Sequence, residues 1–112
     1  YRIIGIDEIH MFPPEDVRVI RRLLQNNIEV IISGLDTDYQ GKMFDIIRGL
    51  FELGPQEVIY KRAVCELCHT PKAVYTQVLN QEVPLTKGMP PSIPDDGTFT
   101  YQSVCRDCFV RE

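Results

Sequence analysis

Apolar and polar positions divide the chain into two textures. From Ile3 to Ile6 every residue except Gly5 is β-branched and apolar, the pattern of a short strand buried on both faces. Asp7-Glu8 and then Pro13-Pro14 close that strand and open a helix. Glu15 and Asp16 sit where a helix N-terminus favours negative charge, and Val17, Ile20 and Leu24 follow at helical spacing with Arg18, Arg21 and Arg22 on other faces. Asn26-Asn27 ends this helix. Glu29 to Ile32 is a second buried strand, stopped by Ser33-Gly34, and a strand, crossover helix and strand in succession predict a parallel α/β sheet. A loop over 35–43 leads into a second helix through Phe44, Ile47 and Leu50 to Gly54-Pro55, and Val58-Ile59-Tyr60 reads as a third short strand.

Near Cys65 the pattern shortens. Only two strand-like pieces remain, Ala73 to Leu79 and Thr98 to Val104. Between them Pro84, Pro90, Pro91 and Pro94, with Gly88 and Gly97, predict loop. The expected organisation is therefore an α/β part over 1–62 and a smaller β lobe over 63–112.

Composition adds limits rather than detail. The 112 residues are 44% hydrophobic and 25% charged, which suits a folded globular chain with a modest core. A net charge of −4 without a dense Lys/Arg run argues against a nucleic-acid partner. No apolar run reaches the ~18 residues of a membrane span, so no membrane partner is expected either.

The four cysteines carry the first specific chemistry. Cys65-Glu-Leu-Cys68 and Cys105-Arg-Asp-Cys108 are two identical knuckles, and two such turns brought together complete a tetrahedral four-thiolate shell. With four thiolates and no open position, the ion would be structural Zn2+. Two disulfides or free thiols are the alternatives, and His69 is a rival ligand.

The second constellation is Asp7-Glu8 at the end of an apolar strand. It resembles the Walker B element of P-loop nucleotide hydrolases and kinases, in which the Asp faces the phosphate crevice and a following carboxylate can act on the attacking group. A solvated strand end is the bland alternative. Asp7-Glu8-Ile9-His10 also lies close to the acidic box of nucleic-acid helicases, though the next strand ends Ser33-Gly34-Leu35-Asp36 and not in that family's Ser-Ala-Thr. Asp36 and Asp38 read as turn residues that bond their own backbone, not as metal ligands.

A wider pattern points to one family. Gly5-Ile6-Asp7-Glu8, then Phe12, the run Ser33-Gly34-Leu35-Asp36-Thr37-Asp38-Tyr39-Gln40-Gly41-Lys42-Met43-Phe44, Ala63-Val64-Cys65-x-x-Cys68, Tyr75-Thr76 and Tyr101-x-x-Val104-Cys105-x-x-Cys108 occur in order. Together they resemble thymidine kinase of the cytosolic, zinc-containing type. The fold implied is a P-loop NTPase-type α/β parallel sheet joined to a zinc ribbon. The implied activity is phosphoryl transfer from ATP to the 5′-hydroxyl of thymidine, a deoxynucleoside salvage reaction, in the cytoplasm. Asp7 would be the Mg2+ residue and Glu8 the general base, and 34–44 would be the "lasso" loop over the nucleoside. Met11, Leu35, Tyr39, Phe44, Thr76 and Tyr101 would surround the nucleoside, and a homotetramer would be the assembled form.

Some positions depart from that family. His10 and Met11 stand where it has Gln then Phe, Val78 replaces a basic residue, and 82–99 is longer and richer in Pro. A non-enzymatic zinc-ribbon module with a decayed site stays open on these residues, as does, more distantly, a helicase-type fragment. No Gly-x-x-x-x-Gly-Lys-Ser/Thr occurs in the 112 residues. The expectation is that this is a C-terminal portion, from the Walker B strand onward, with the P-loop upstream of Tyr1. Alone, it is expected to be inactive.

Overall fold

The computed structural model describes residues 2–112; Tyr1, which opens the first apolar run, lies outside them. The chain divides into two compact units: the described residues up to Asp36 with Met43–Val58, and Thr37–Lys42 with Ile59–Glu112.

In the first unit, β1 (Arg2–Ile6) pairs in parallel with β2 (Ile28–Ile32), Ile4 opposite Val30. The crossover between them is α1 (Val17–Gln25), entered through a 3-10 turn, Pro14–Asp16, that begins with a proline. Proline is at home there because its fixed φ suits a first turn and its missing N–H would have had no partner. The second helix, α2 (Asp45–Glu52), ends at Gly54, whose φ of +75° is the left-handed conformation that halts a helix. Ile9, Ile20, Phe44, Ile46 and Ile47 form the core, with Ile6, Val30 and Ile32 packed against it. At Gly49 an added Cβ would lie 2.9 Å from Val17 Cγ2, so glycine permits this close approach.

Two expectations are corrected here. The strands are not buried on both faces: Ile3 and Ile31 are 54% and 59% exposed. The helices cover one side of the two-stranded sheet, and the apolar residues of the other side have no layer over them among the described residues. The run Val58-Ile59-Tyr60 forms no strand and is exposed throughout. It joins the two units, and three apolar residues without a neighbouring strand cannot satisfy their backbone as a sheet.

In the second unit, β3 (Tyr75–Asn80) is the centre of an antiparallel sheet, with β4 (Val83–Pro84) on one side and β5 (Phe99–Val104) on the other. Val78 faces Tyr101 and Thr76 faces Ser103 across the β3–β5 pair. Gln77 is almost fully buried, and its amide donates to the Val110 carbonyl (3.2 Å) while accepting the Val110 N–H (2.7 Å). That two-way bond fastens the C-terminal segment to β3. Phe109 stacks on Tyr75 at 4.5 Å, with the Arg111 guanidinium over both rings.

Residues 37–42 belong to this unit and are built around buried Asp38. Its carboxylate accepts the Gln40 and Lys42 N–H groups at 2.8 and 3.0 Å, the self-bonding turn expected of it. The proline-rich stretch is anchored at defined points: the Tyr39 hydroxyl bonds both the Met89 carbonyl and its N–H, and the Gln40 amide donates to Thr86. Among the described residues, no helix is long and apolar enough to cross a membrane.

Candidate functional site

Parallel strands expose their C-terminal ends at a common edge, where main-chain groups run out of ladder partners and loops must satisfy them. Here β1 leaves into Asp7-Glu8 and a 3-10 turn over Ile9–Met11, while β2 leaves into Ser33-Gly34-Leu35. The two exits are stitched together: Ser33 N–H donates to Ile6 (2.9 Å) and Ile9 N–H to the Ser33 carbonyl (3.1 Å). Gly34 is required at this crossing, since a Cβ would lie 2.9 Å from Ile9 Cγ2 and 3.1 Å from His10 Nδ1.

Within this crossing Asp7 is held as an anion. The Ser33 hydroxyl and the Glu8 N–H both donate to its Oδ1. These bonds, Ser33 first, hold the Asp7 carboxyl below its ordinary range. Glu8 takes the left-handed conformation, φ 56° and ψ 40°, which costs a non-glycine residue about 1–3 kcal/mol. The Asp7 bond to its N–H helps offset that cost, and the turn leaves the Glu8 side chain 66% exposed. Replacing Ser33 with Ala removes the hydrogen bond that does most to hold Asp7 ionised, so its carboxyl should titrate at higher pH. Carboxyl-carbon NMR titration reads this directly, and an unchanged Asp7 midpoint would contradict the assignment.

His10, like Ser33, is a member of this site that residue patterns do not reveal as part of it. It is buried, its Nδ1 accepts the Leu35 N–H at 3.0 Å, and its Nε2 lies 3.2 Å from Glu8 Oε2. Its ring also rests on Phe44, with centroids 5.3 Å apart.

The four cysteines converge as their spacing implies. Their sulfurs all lie within 4.8 Å of one another, and Cys68 and Cys105 are 3.7 Å apart. A tetrahedral site with Zn–S near ~2.3 Å has sulfurs about 3.8 Å apart, so the donor set suits such an ion. No disulfide joins any of the four, and His69 is exposed and outside the cluster. Each knuckle is shaped by its own backbone: His69 N–H donates to Cys65, and Cys108 and Phe109 N–H to Cys105. Glu66 and Ser103 tie the two knuckles together, the Glu66 N–H donating to the Ser103 carbonyl and the Ser103 N–H to Glu66 Oε2.

The electrostatics favour a cation. Main-chain N–H groups, chiefly that of Cys68, draw the Cys65 thiol down to about 6, while the neighbouring Cys105 sulfur pushes Cys108 up to about 12. Four converging sulfurs resist losing all their protons unless a dication neutralises them. Among the described residues no fifth His, Cys, Asp or Glu joins the cluster, as in structural metal centres.

The chain matches the thymidine kinase family profile over residues 1–109. It belongs to the thymidine kinase family. It is 36% identical over 109 residues to a thymidine kinase of Mycoplasma capricolum, covering 96% of this chain and 50% of that protein. It is 40% identical over 103 residues to one of Coprothermobacter proteolyticus, covering 92% and 50%. A Thermococcus kodakarensis thymidine kinase is 34% identical over 107 residues, covering 96% and 53%. The chain thus spans about half the length of these curated relatives.

Membership directs attention to the six positions expected near a nucleoside. Leu35 and Phe44, at the two ends of loop 34–44, both touch His10; Leu35 is exposed and Phe44 buried. Met11 ends the 3-10 turn and is 55% exposed. Thr76 and Tyr101 lie on one face of the β3–β5 pair, diagonal to each other through the Val78–Tyr101 and Thr76–Ser103 pairings. Tyr39 is buried with its hydroxyl engaged by Met89. Sequence reasoning missed Ser33 and the role of His10, although His10 stands out as a departure from the family's Gln.

Proposed function

We propose that the protein carrying this chain transfers the γ-phosphoryl group of ATP to the 5′-hydroxyl of thymidine, in cytoplasmic deoxynucleoside salvage. The observation that carries this reading is the oriented acidic pair, Asp7 and Glu8, at the joined ends of two parallel strands in a chain of this family. In phosphoryl transfer, positioning and charge stabilisation supply most of the catalysis. The P-loop NTPase-type sheet of the full-length protein would supply the cradle for the triphosphate.

The residues then take distinct roles. Asp7, held ionised by Ser33, would bind Mg2+, which when present offsets charge on the phosphates. Glu8, exposed and with its Oε2 3.2 Å from His10 Nε2, would take the proton of the 5′-hydroxyl as that oxygen attacks. Met11, Leu35, Tyr39, Phe44, Thr76 and Tyr101 would bound the nucleoside. Cys65, Cys68, Cys105 and Cys108 would hold one Zn2+, which stiffens the β3–β5 unit and takes no part in the reaction. Assembly as a homotetramer is part of the same reading and is measured by sedimentation.

An acceptor panel tests the reading. Full-length protein with Mg·ATP should phosphorylate thymidine with a higher kcat/KM than deoxycytidine or deoxyadenosine. Preference for a purine acceptor, or no acceptor at all, would overturn it.

A further inference from the structure

His10 grips both ends of loop 34–44 and the carboxylate of Glu8 at once. Its Nδ1 accepts the Leu35 N–H at 3.0 Å, at the loop's start, and its ring packs on Phe44, at the loop's finish. An acceptor at Nδ1 carries no proton, so in the neutral ring the hydrogen sits on Nε2, which lies 3.2 Å from Glu8 Oε2. The imidazole is 8% exposed, so these partners, not water, satisfy it. Its close seat against the loop depends on Gly34, where a Cβ would come within 3.1 Å of Nδ1. A histidine that merely filled the core would not join a site carboxylate to a loop more than twenty residues away in sequence.

We propose that His10 is a positioning residue that couples the Glu8 carboxylate to the root of loop 34–44, donating from Nε2 to Glu8 and accepting the Leu35 N–H at Nδ1. The carboxylate is then aligned only while the loop root is seated, so base orientation and loop placement are one event. Loss of the imidazole frees Glu8 to rotate in its exposed turn and leaves the Leu35 N–H without its acceptor. The catalytic half of this proposal rests on the reading of Glu8 as the base, whereas the tautomer and the loop link do not.

Two measurements decide it. With histidine 15N-labelled in the wild-type protein, and the His10 signals assigned by their loss in His10→Gln, long-range 1H–15N spectra should show Nε2 protonated and Nδ1 bare. The opposite tautomer, or a ring that averages between the two, overturns the link whatever any variant does. In full-length protein, His10→Ala should lower kcat by about 10–100-fold, the usual cost of losing a partner that orients a working group. His10→Gln, which keeps a donor and an acceptor, should recover most of that loss. In a Glu8→Gln background, His10→Ala should cost no more than a few-fold, because there is no base left to align. Additive losses would make His10 a structural residue only. If Glu8→Gln alone leaves kcat unchanged, the base reading and the catalytic half fail together, while the spectra still decide the loop link.

Discussion

Replacing Cys105 with Ser should unfold the unit that carries β3 and β5. The reason is that the four-cysteine cluster and the apolar core of that unit are the same place. Cys65, Ala73, Val104, Cys105 and Phe109 form one buried set, with Cys108 and Tyr75 packed against it. A structural zinc supplies on the order of 10 kcal/mol of folding free energy, as large as the whole stability of many domains. Serine offers no thiolate, and the three remaining sulfurs would keep their mutual repulsion without a full tetrahedral shell. Wild-type protein purified without chelator should contain one zinc per chain, while Cys105→Ser should contain little. Amide protection along Tyr75–Asn80 and Phe99–Val104 should collapse in the variant. Arg106→Ser, a change at an exposed neighbour in the same knuckle, should keep both zinc and protection. Zinc-free wild type, or a Cys105→Ser protein with intact protection, would remove the metal from the account.

The second large effect concerns Glu8. In full-length protein, Glu8→Gln keeps the side chain's length and hydrogen-bonding reach but cannot accept a proton at neutral pH. General-base contributions are typically ~10²–10⁴-fold, so kcat should fall by that order while the thymidine KM changes little. Asp7→Asn should act differently. It lowers the charge at the carboxylate that Ser33 and the Glu8 N–H hold ionised, so it should raise the Mg2+ concentration needed for half-maximal rate. The two variants thus test the proposed base and the proposed Mg2+ residue separately, by what each one changes. A Glu8→Gln enzyme within a few-fold of wild-type kcat would remove the base assignment.

Legibility in the sequence followed how local each signal was. The parallel β1–β2 pair was readable because two apolar runs flank a helix of clear period. The cysteine cluster was readable because each knuckle is a local turn with a fixed spacing. Val58-Ile59-Tyr60 misled because β-branched and aromatic residues favour strands only where a neighbouring strand exists. Burial of β1 and β2 was overestimated because an apolar run reports what could be covered, not what covers it. The strand β4 has two residues, too few to show any alternation. Ser33 and His10 were hidden for another reason. Their partners lie 26 and 25 positions away, and the contacts depend on a left-handed Glu8 and a bare Gly34. Tyr39 and Met89, 50 positions apart, meet only once the sheet of the second unit is assembled.

The most direct test of the central claim is the identity of the product made from thymidine and Mg·ATP by full-length protein, followed by 31P NMR. A phosphomonoester on the 5′-oxygen of thymidine, formed one for one with ADP, is the predicted result. Inorganic phosphate with unmodified thymidine would mean a nucleotide hydrolase, and the absence of any ATP turnover would mean a binding module. Either outcome would contradict the kinase reading.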